Sequence, residues 1–176
     1  MGGFPVFGLK CNLMSMNNPS SSDPKRELLR HSLATLAYRG GKSVRGAADG
    51  FADFAGGGKS PVQILAHIGD LLDWALTMAN GTRKWNSSEP LPWKRENERF
   101  FAALKVFDDY LASSEPLQAT AEKLFQGPVA DALTHVGQLA MLRRMAGDPI
   151  VVENFFIADI AVGRVGDEQT APKRKV

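Results

Sequence analysis

Cysteine is almost missing from this chain. Cys11 is the single thiol among 176 residues, which excludes an internal disulfide framework and any thiolate-rich zinc site. Its place just ahead of a Ser/Asn/Pro-rich stretch argues for a free thiol rather than a nucleophile. Histidine is scarce as well, with three copies, so the places where it falls carry information. No apolar run approaches the roughly 18 uncharged residues of a membrane span. An excess of either charge is also lacking. The net charge is +2 and the one dense basic run is the terminal "PKRKV", so the sequence predicts neither a polyanionic partner nor a nucleic-acid surface. The opening "MGGFPVFGLKCNLM" has no basic start and no compact apolar core followed by a small-residue cleavage site, which predicts a cytoplasmic protein.

What is present is an ordinary globular composition, 44% hydrophobic, enough for one domain with a single core. Residues 1–22 end in "SMNNPSSSDP" and read as a flexible N-terminal arm, in which Met14 and Met16 are alternative starts. Asp23-Pro24 is an N-cap followed by proline at the first helical position, opening a helix over 24–38 that "RGG" should stop. Ser60-Pro61 repeats the signature, and that second helix runs to Asn80-Gly81. A third covers 93–112, with Phe100, Leu104, Phe107 and Leu111 at helical spacing. A short helical turn is expected at 117–125, and Gly127-Pro128 should open a fourth long helix that Gly147 and Pro149 end. Strand-like alternation of comparable strength is absent, so the expected fold is an all-α four-helix bundle occupying 23–166. The Gly-rich 39–59 stretch is a long connection between helices one and two, of a length that crosses a bundle end and argues against simple up-down-up-down order. "PIVVENFFIADIAVGRVG" is apolar enough to pack back on the bundle, and 167–176 reads as a disordered tail.

Two short stretches, "AGGGKS" and "YRGGKS", mimic a phosphate loop. Neither has the first glycine of G-x-x-x-x-G-K-[ST], neither follows a predicted strand, and "YRGGKS" follows a helix. The glycines are better explained as helix stops, and Ser60 as a cap.

The histidines then stand out. In "SPVQILAHIGDLLDWALTMANG" His67 shares a helical face with Ile64, Leu71, Trp74 and Met78. In "DALTHVGQLAMLRRMAG" Asp131 and His135 fall on the same side as Leu139, Leu142 and Met145. An acid and an imidazole facing an interior need a partner that repays their desolvation. Residues i and i+4 stand roughly 5–6 Å apart at Cβ, a spacing that lets both grip one ion while a facing helix supplies a third ligand. Two imidazoles and a carboxylate suit zinc, nickel, iron or manganese. The competing explanation is a hydrogen-bonded core histidine beside a buried ion pair near a helix N-terminus. His31, at the edge of helix one's apolar face beside Glu27 and Tyr38, reads as a partly solvated histidine.

"SPVQILAHIGDLLDW" at 60–74 and "DALTHVGQLAMLRRMAG" at 131–147 together resemble the DinB-like proteins, named for a damage-inducible gene product and also called YfiT-like metal-dependent hydrolases. The resemblance spans most of 24–147. It implies a four-helix bundle of up-down-down-up topology and a divalent metal between helices two and four, usually held by three histidines. His67 matches the first and His135 the last, while Asp131 stands at the middle position and makes the implied set two nitrogens and one oxygen. Zinc or nickel is the implied metal, with iron or manganese as alternatives. Asp70 and Gln138 are the candidates to orient the histidine rings, Trp74 and Met78 to line a pocket, and Arg144, matching the family arginine, to serve as a structural pairing residue.

The function implied is metal-dependent hydrolysis or thiol transfer, on a small-molecule substrate or with a low-molecular-weight thiol as partner. No residue presents itself as a separate general base, and enzymatic activity stays open. The alternative is a non-catalytic, stress-related bundle with a degraded site, acting as a dimer or through a partner-binding face. Members of this family often pair, which points to a homodimer that no residue here fixes.

Overall fold

A computed structural model describes residues 23–174. The expected arm 1–22, with Cys11, Met14 and Met16, lies outside the described residues. Among the described residues every regular element is helical. Helix α1 spans Pro24–Val44, capped by the Asp23 carboxylate, which accepts from Lys25 N at 3.0 Å. It runs six residues beyond the expected stop. Gly40 is helical and lies under Phe100, where an added Cβ would come within 2.5 Å of the ring; the neighbouring Gly41 is covered by the Arg45 guanidinium. The two glycines therefore serve close helix packing, and α1 ends only where Arg45 becomes extended and Gly46 left-handed.

Helix α2 covers Pro61–Asn80 and α3 Trp93–Ala112, both as the sequence predicts. The Gln63 side chain accepts from Ser60 N at 2.9 Å to close the start of α2, and Gly81 at φ 86° ends it. The last run is organised differently from expectation. Helix α4, Ala121–Leu124, passes through a π turn at Phe125–Val129 directly into α5, Ala130–Met145. Gly127-Pro128 therefore lies inside a continuous helical run rather than at its start. The wider π turn accommodates a proline, which has no N–H to give and crowds the preceding turn. Ala130 N–H reaches back to Phe125 O and restores the ladder.

Helix α2 lies against α3 and α5, and α1 lies against the same two, so α1 and α2 face each other across the core rather than side by side. Consecutive helices placed this way need a long connection, which 45–60 supplies. The core contains Leu33 and Leu36 of α1, Leu65, Ile68 and Leu72 of α2, Phe100, Leu104 and Phe107 of α3, and Leu139 of α5, all buried. On α5 the buried face is Ala132, Val136, Leu139, Leu142 and Arg143, continued from Val129 of the π turn. This corrects the expected face, because Met145 is 56% exposed and Asp131 is exposed.

Arg143, not Arg144, is the pairing residue. Its guanidinium donates to Arg45 O at 2.7 Å, to Gly46 O at 3.2 Å and to Asp148 O at 3.0 Å, and it pairs with the Asp148 carboxylate at 2.7 Å. Arg144 is exposed. The 149–166 stretch is tied to α1, but less through its apolar residues than expected: Val165 is buried, whereas Val151, Val152, Phe156 and Val162 stay exposed. The fully buried Glu153 side chain accepts from Tyr38 Oη at 2.8 Å and pairs with Lys42 at 2.6 Å. Burial, then the adjoining carboxylate, pushes the Tyr38 hydroxyl up to about 12. Residues 167–174, read from sequence as a tail, touch this segment: Asn154 N donates to Lys173 O at 2.9 Å and Thr170 Oγ1 to Asp159 O at 3.0 Å.

Removing the Arg143 guanidinium takes a donor from three carbonyls and leaves Asp148 with Ala48 N, at 3.0 Å, as its partner. Arg143→Ala is expected to lower stability by about 2 kcal/mol, the cost of leaving buried acceptors unpaired, and Arg144→Ala to change it by less than about 0.5 kcal/mol, as read by urea unfolding of the two variants.

Candidate metal centre

His67 stands in the second turn of α2, and His135 one turn on from Asp131 near the start of α5. The antiparallel seam between these helices brings the two imidazoles to a centroid separation of 4.8 Å, edge to face. Asp131 Oδ1 lies 3.5 Å from His135 Nε2. One donor atom from each of His67, Asp131 and His135 lies within 4.8 Å of the others, so the group can hold a metal ion. The three residues singled out from sequence are therefore brought together.

Their setting differs from the expected interior. The His135 side chain keeps 16% of its exposure and Asp131 keeps 50%, which places the group at the rim of the core. The donor chemistry still fits a divalent cation. Gln138 Oε1 sits 2.8 Å from His135 Nδ1, one turn along the helix. The amide oxygen accepts the Nδ1 proton, which leaves Nε2 with its lone pair on the side of Asp131 and His67. Gln138 thus occupies the orienting position that the sequence suggested. Burial, then the neighbouring His135 and Lys59, holds the His67 imidazole below its ordinary pKa, against the opposing pull of Asp131 and Asp70. A neutral ring is the form that ligates a cation.

Asp70 does not orient His67. Its carboxylate is buried, ion-paired with Arg99 of α3, and accepts from Ser88 N at 3.0 Å. Arg99 also donates to Asp73 at 3.0 Å. The space for it comes from Gly69, where a Cβ would meet the guanidinium carbon at 2.9 Å. Burial raises the Asp70 pKa, but the Arg99 and Ser88 hydrogen bonds together outweigh it and leave the carboxyl below its ordinary value.

The function of this network is to fasten the irregular 81–92 connection. Ser88 is tied to Asp70, Leu91 N donates to the buried Glu96 at 2.8 Å, and Thr77 Oγ1 donates to Lys84 O at 2.9 Å. The connection so held carries Trp85, whose ring centroid stands 6.0 Å from that of His67 and 5.7 Å from that of Trp74, edge to face in both cases. Trp74 reaches the site through Trp85. Met78 packs on the core a further turn along α2. His31 is exposed and belongs to no metal-capable group among the described residues. Sequence reasoning missed Trp85 because it lies in a segment without periodicity; the only signal was a tryptophan set among polar residues.

Comparison with known proteins finds no matching family model, no matching curated protein and no matching solved structure. No helix of the described residues is long and apolar enough to cross a membrane.

Because the folded-state pKa of Asp70 is depressed, its stabilisation is complete above the unfolded value of about 4 and is lost as pH falls through the folded value. Asp70→Ala is expected to cost roughly 2 kcal/mol at pH 7 and progressively less below pH 4. Amide exchange at Ser88 should accelerate, and a variant with unchanged Ser88 protection would remove Asp70 from this role.

Proposed function

We propose that the chain is a metal-binding four-helix bundle of the DinB-like type, with up-down-down-up topology, that uses a divalent cation for hydrolysis or thiol transfer. One observation carries this reading: two imidazoles and a carboxylate from facing helices converge, with one imidazole already oriented by Gln138. The two sequence stretches that resemble the family supply all four of these residues.

His67 Nε2 or Nδ1, Asp131 Oδ1 and His135 Nε2 are the donors. Nitrogen and mixed nitrogen–oxygen sets favour zinc or nickel, with iron or manganese as alternatives. A cation held by these three residues would supply Lewis acidity for polarising a bound substrate or activating a bound water or thiolate. The protein's own part is to fix the donors, to keep His67 neutral and to place the Trp85 ring as an apolar wall beside it. A small molecule or a low-molecular-weight thiol is the partner proposed for the open side, in a cytoplasmic setting. A second reading rests on the half-exposed Asp131 side chain: an acid so well hydrated needs no cation, and the chain is then a non-catalytic bundle, as a dimer or a partner-binding module.

Metal analysis of full-length protein purified without chelator decides between them. Near-stoichiometric zinc or nickel is expected, lost from His67→Ala while the far-ultraviolet circular dichroism is retained. Chelation should lower the melting temperature, since a ligand held only by the native state stabilises that state. Metal retained in full by His67→Ala would overturn the site, and a melting temperature indifferent to chelator would favour the second reading. Gln138→Leu is expected to weaken metal affinity about 10- to 100-fold without unfolding the chain, as measured by competition with a chromophoric chelator.

A further inference from the structure

A cleft of about 690 Å³ opens directly beside His135. One wall is the Gly56–Lys59 loop, and the other is the outer face of α5 from Thr134 to Met145. The loop is seated rather than loosely draped. A Cβ on Gly56 would fall 2.2 Å from Leu142 Cδ2, so only glycine allows this approach to α5. Beyond the contact, Gly57 adopts φ +87° and turns the chain away, with open space where a side chain would stand.

The lining sorts into two parts. Met141 and Met145, 58% and 56% exposed, form with Ile64 and Leu142 an apolar tract. From His135 to Met145 that wall runs about 15 Å along the helix. Exposed methionines on a helix face offer a deformable apolar surface suited to flexible chains. The only charged residue of the lining is Lys59. Lys59 is exposed and joins none of the ion pairs that hold Lys25, Lys42 and Lys105 among the described residues, a state it shares with Lys84, Lys94, Lys123 and Lys173. Lys59 and His135 both line the cleft, so this cation and the candidate metal centre share one opening.

We propose that the ligand of this site is a monoanionic amphiphile, a carboxylate with an apolar body, its charge held by Lys59 and its body along Met141 and Met145. The inference rests on the metal reading for what is done to the ligand, but not for its binding. One free cation complements one negative charge. The apolar tract gives such a molecule an orientation, with its polar end at Lys59.

Octanoate is the probe, titrated into full-length protein carrying 13C-methyl methionine, with octanol and octylammonium as comparators, in zinc-loaded and chelator-treated samples whose metal content is measured. Saturable shifts of the Met141 and Met145 methyls are expected, strongest for octanoate and weakest for octylammonium. Lys59→Gln should weaken octanoate about fivefold and leave octanol unchanged. Equal affinity for octanoate and octanol, an unaffected Lys59→Gln variant, or absence of shifts at Met141 and Met145 would each overturn the proposal. Protein that takes up no zinc yet binds octanoate through Lys59 sinks the metal reading alone. Protein that holds zinc but ignores octanoate sinks this inference alone.

Discussion

Asp70 and Arg99 join α2 to α3 behind the histidine pair, and each charge depends on the other because both are largely out of water. Their pairing does more than hold two helices. Asp70 has a second acceptor oxygen, and it takes Ser88 N, so the same buried carboxylate fixes the middle of the 81–92 connection. Glu96 fixes its end through Leu91 N. Trp85 is thereby held against His67 by a segment with no regular structure of its own. The constraint runs from the helix seam, through a buried acid, to an aromatic wall of the candidate site.

A comparable device works at the other end of the molecule. Arg143 offers five donors in a rigid fork, and the carbonyls of Arg45 and Gly46 together with Asp148 take them up. The end of α1 and the end of α5 are pinned to one point, from which the 45–60 connection departs toward Gly56 and Lys59. Glu153 does for the 148–166 segment what Asp70 does for 81–92: a buried carboxylate anchors an irregular strap on a helix, here through Tyr38 and Lys42. In each case a charged group positions irregular chain, in addition to whatever helices it joins.

The four long helices were legible because caps and stops are local chemistry. Asp23-Pro24, Ser60-Pro61 and Asn80-Gly81 act within a few residues of themselves. The errors came from residues whose meaning is tertiary. Gly40 looks like a helix stop until Phe100 is placed above it, and Pro128 looks like a helix start until a π turn absorbs it. Asp70 reads as an orienter of His67 by spacing alone, yet the deciding partner, Arg99, is 29 residues away in the chain. The triad itself was legible because a two-residue motif at i and i+4 already fixes most of its geometry, and only His67 had to be brought to it.

The rotation of α5 shows why the site lies where it does. Had Asp131 and His135 faced inward with Leu139 and Met145, as the periodicity suggested, a cation among them would be enclosed by side chains with no position left for water or substrate. Instead Val136 and Leu139 take the core face, and His135 lies beside it with part of its side chain still exposed, while His67's own burial holds its imidazole below the ordinary pKa. Carboxylate and imidazole then avoid the full desolvation cost of an interior ion pair. The same rotation turns Met141 and Met145 outward, so the exposure of the donors and of the apolar tract beside them has one cause: the registry of α5 against its neighbours, which Arg143 locks.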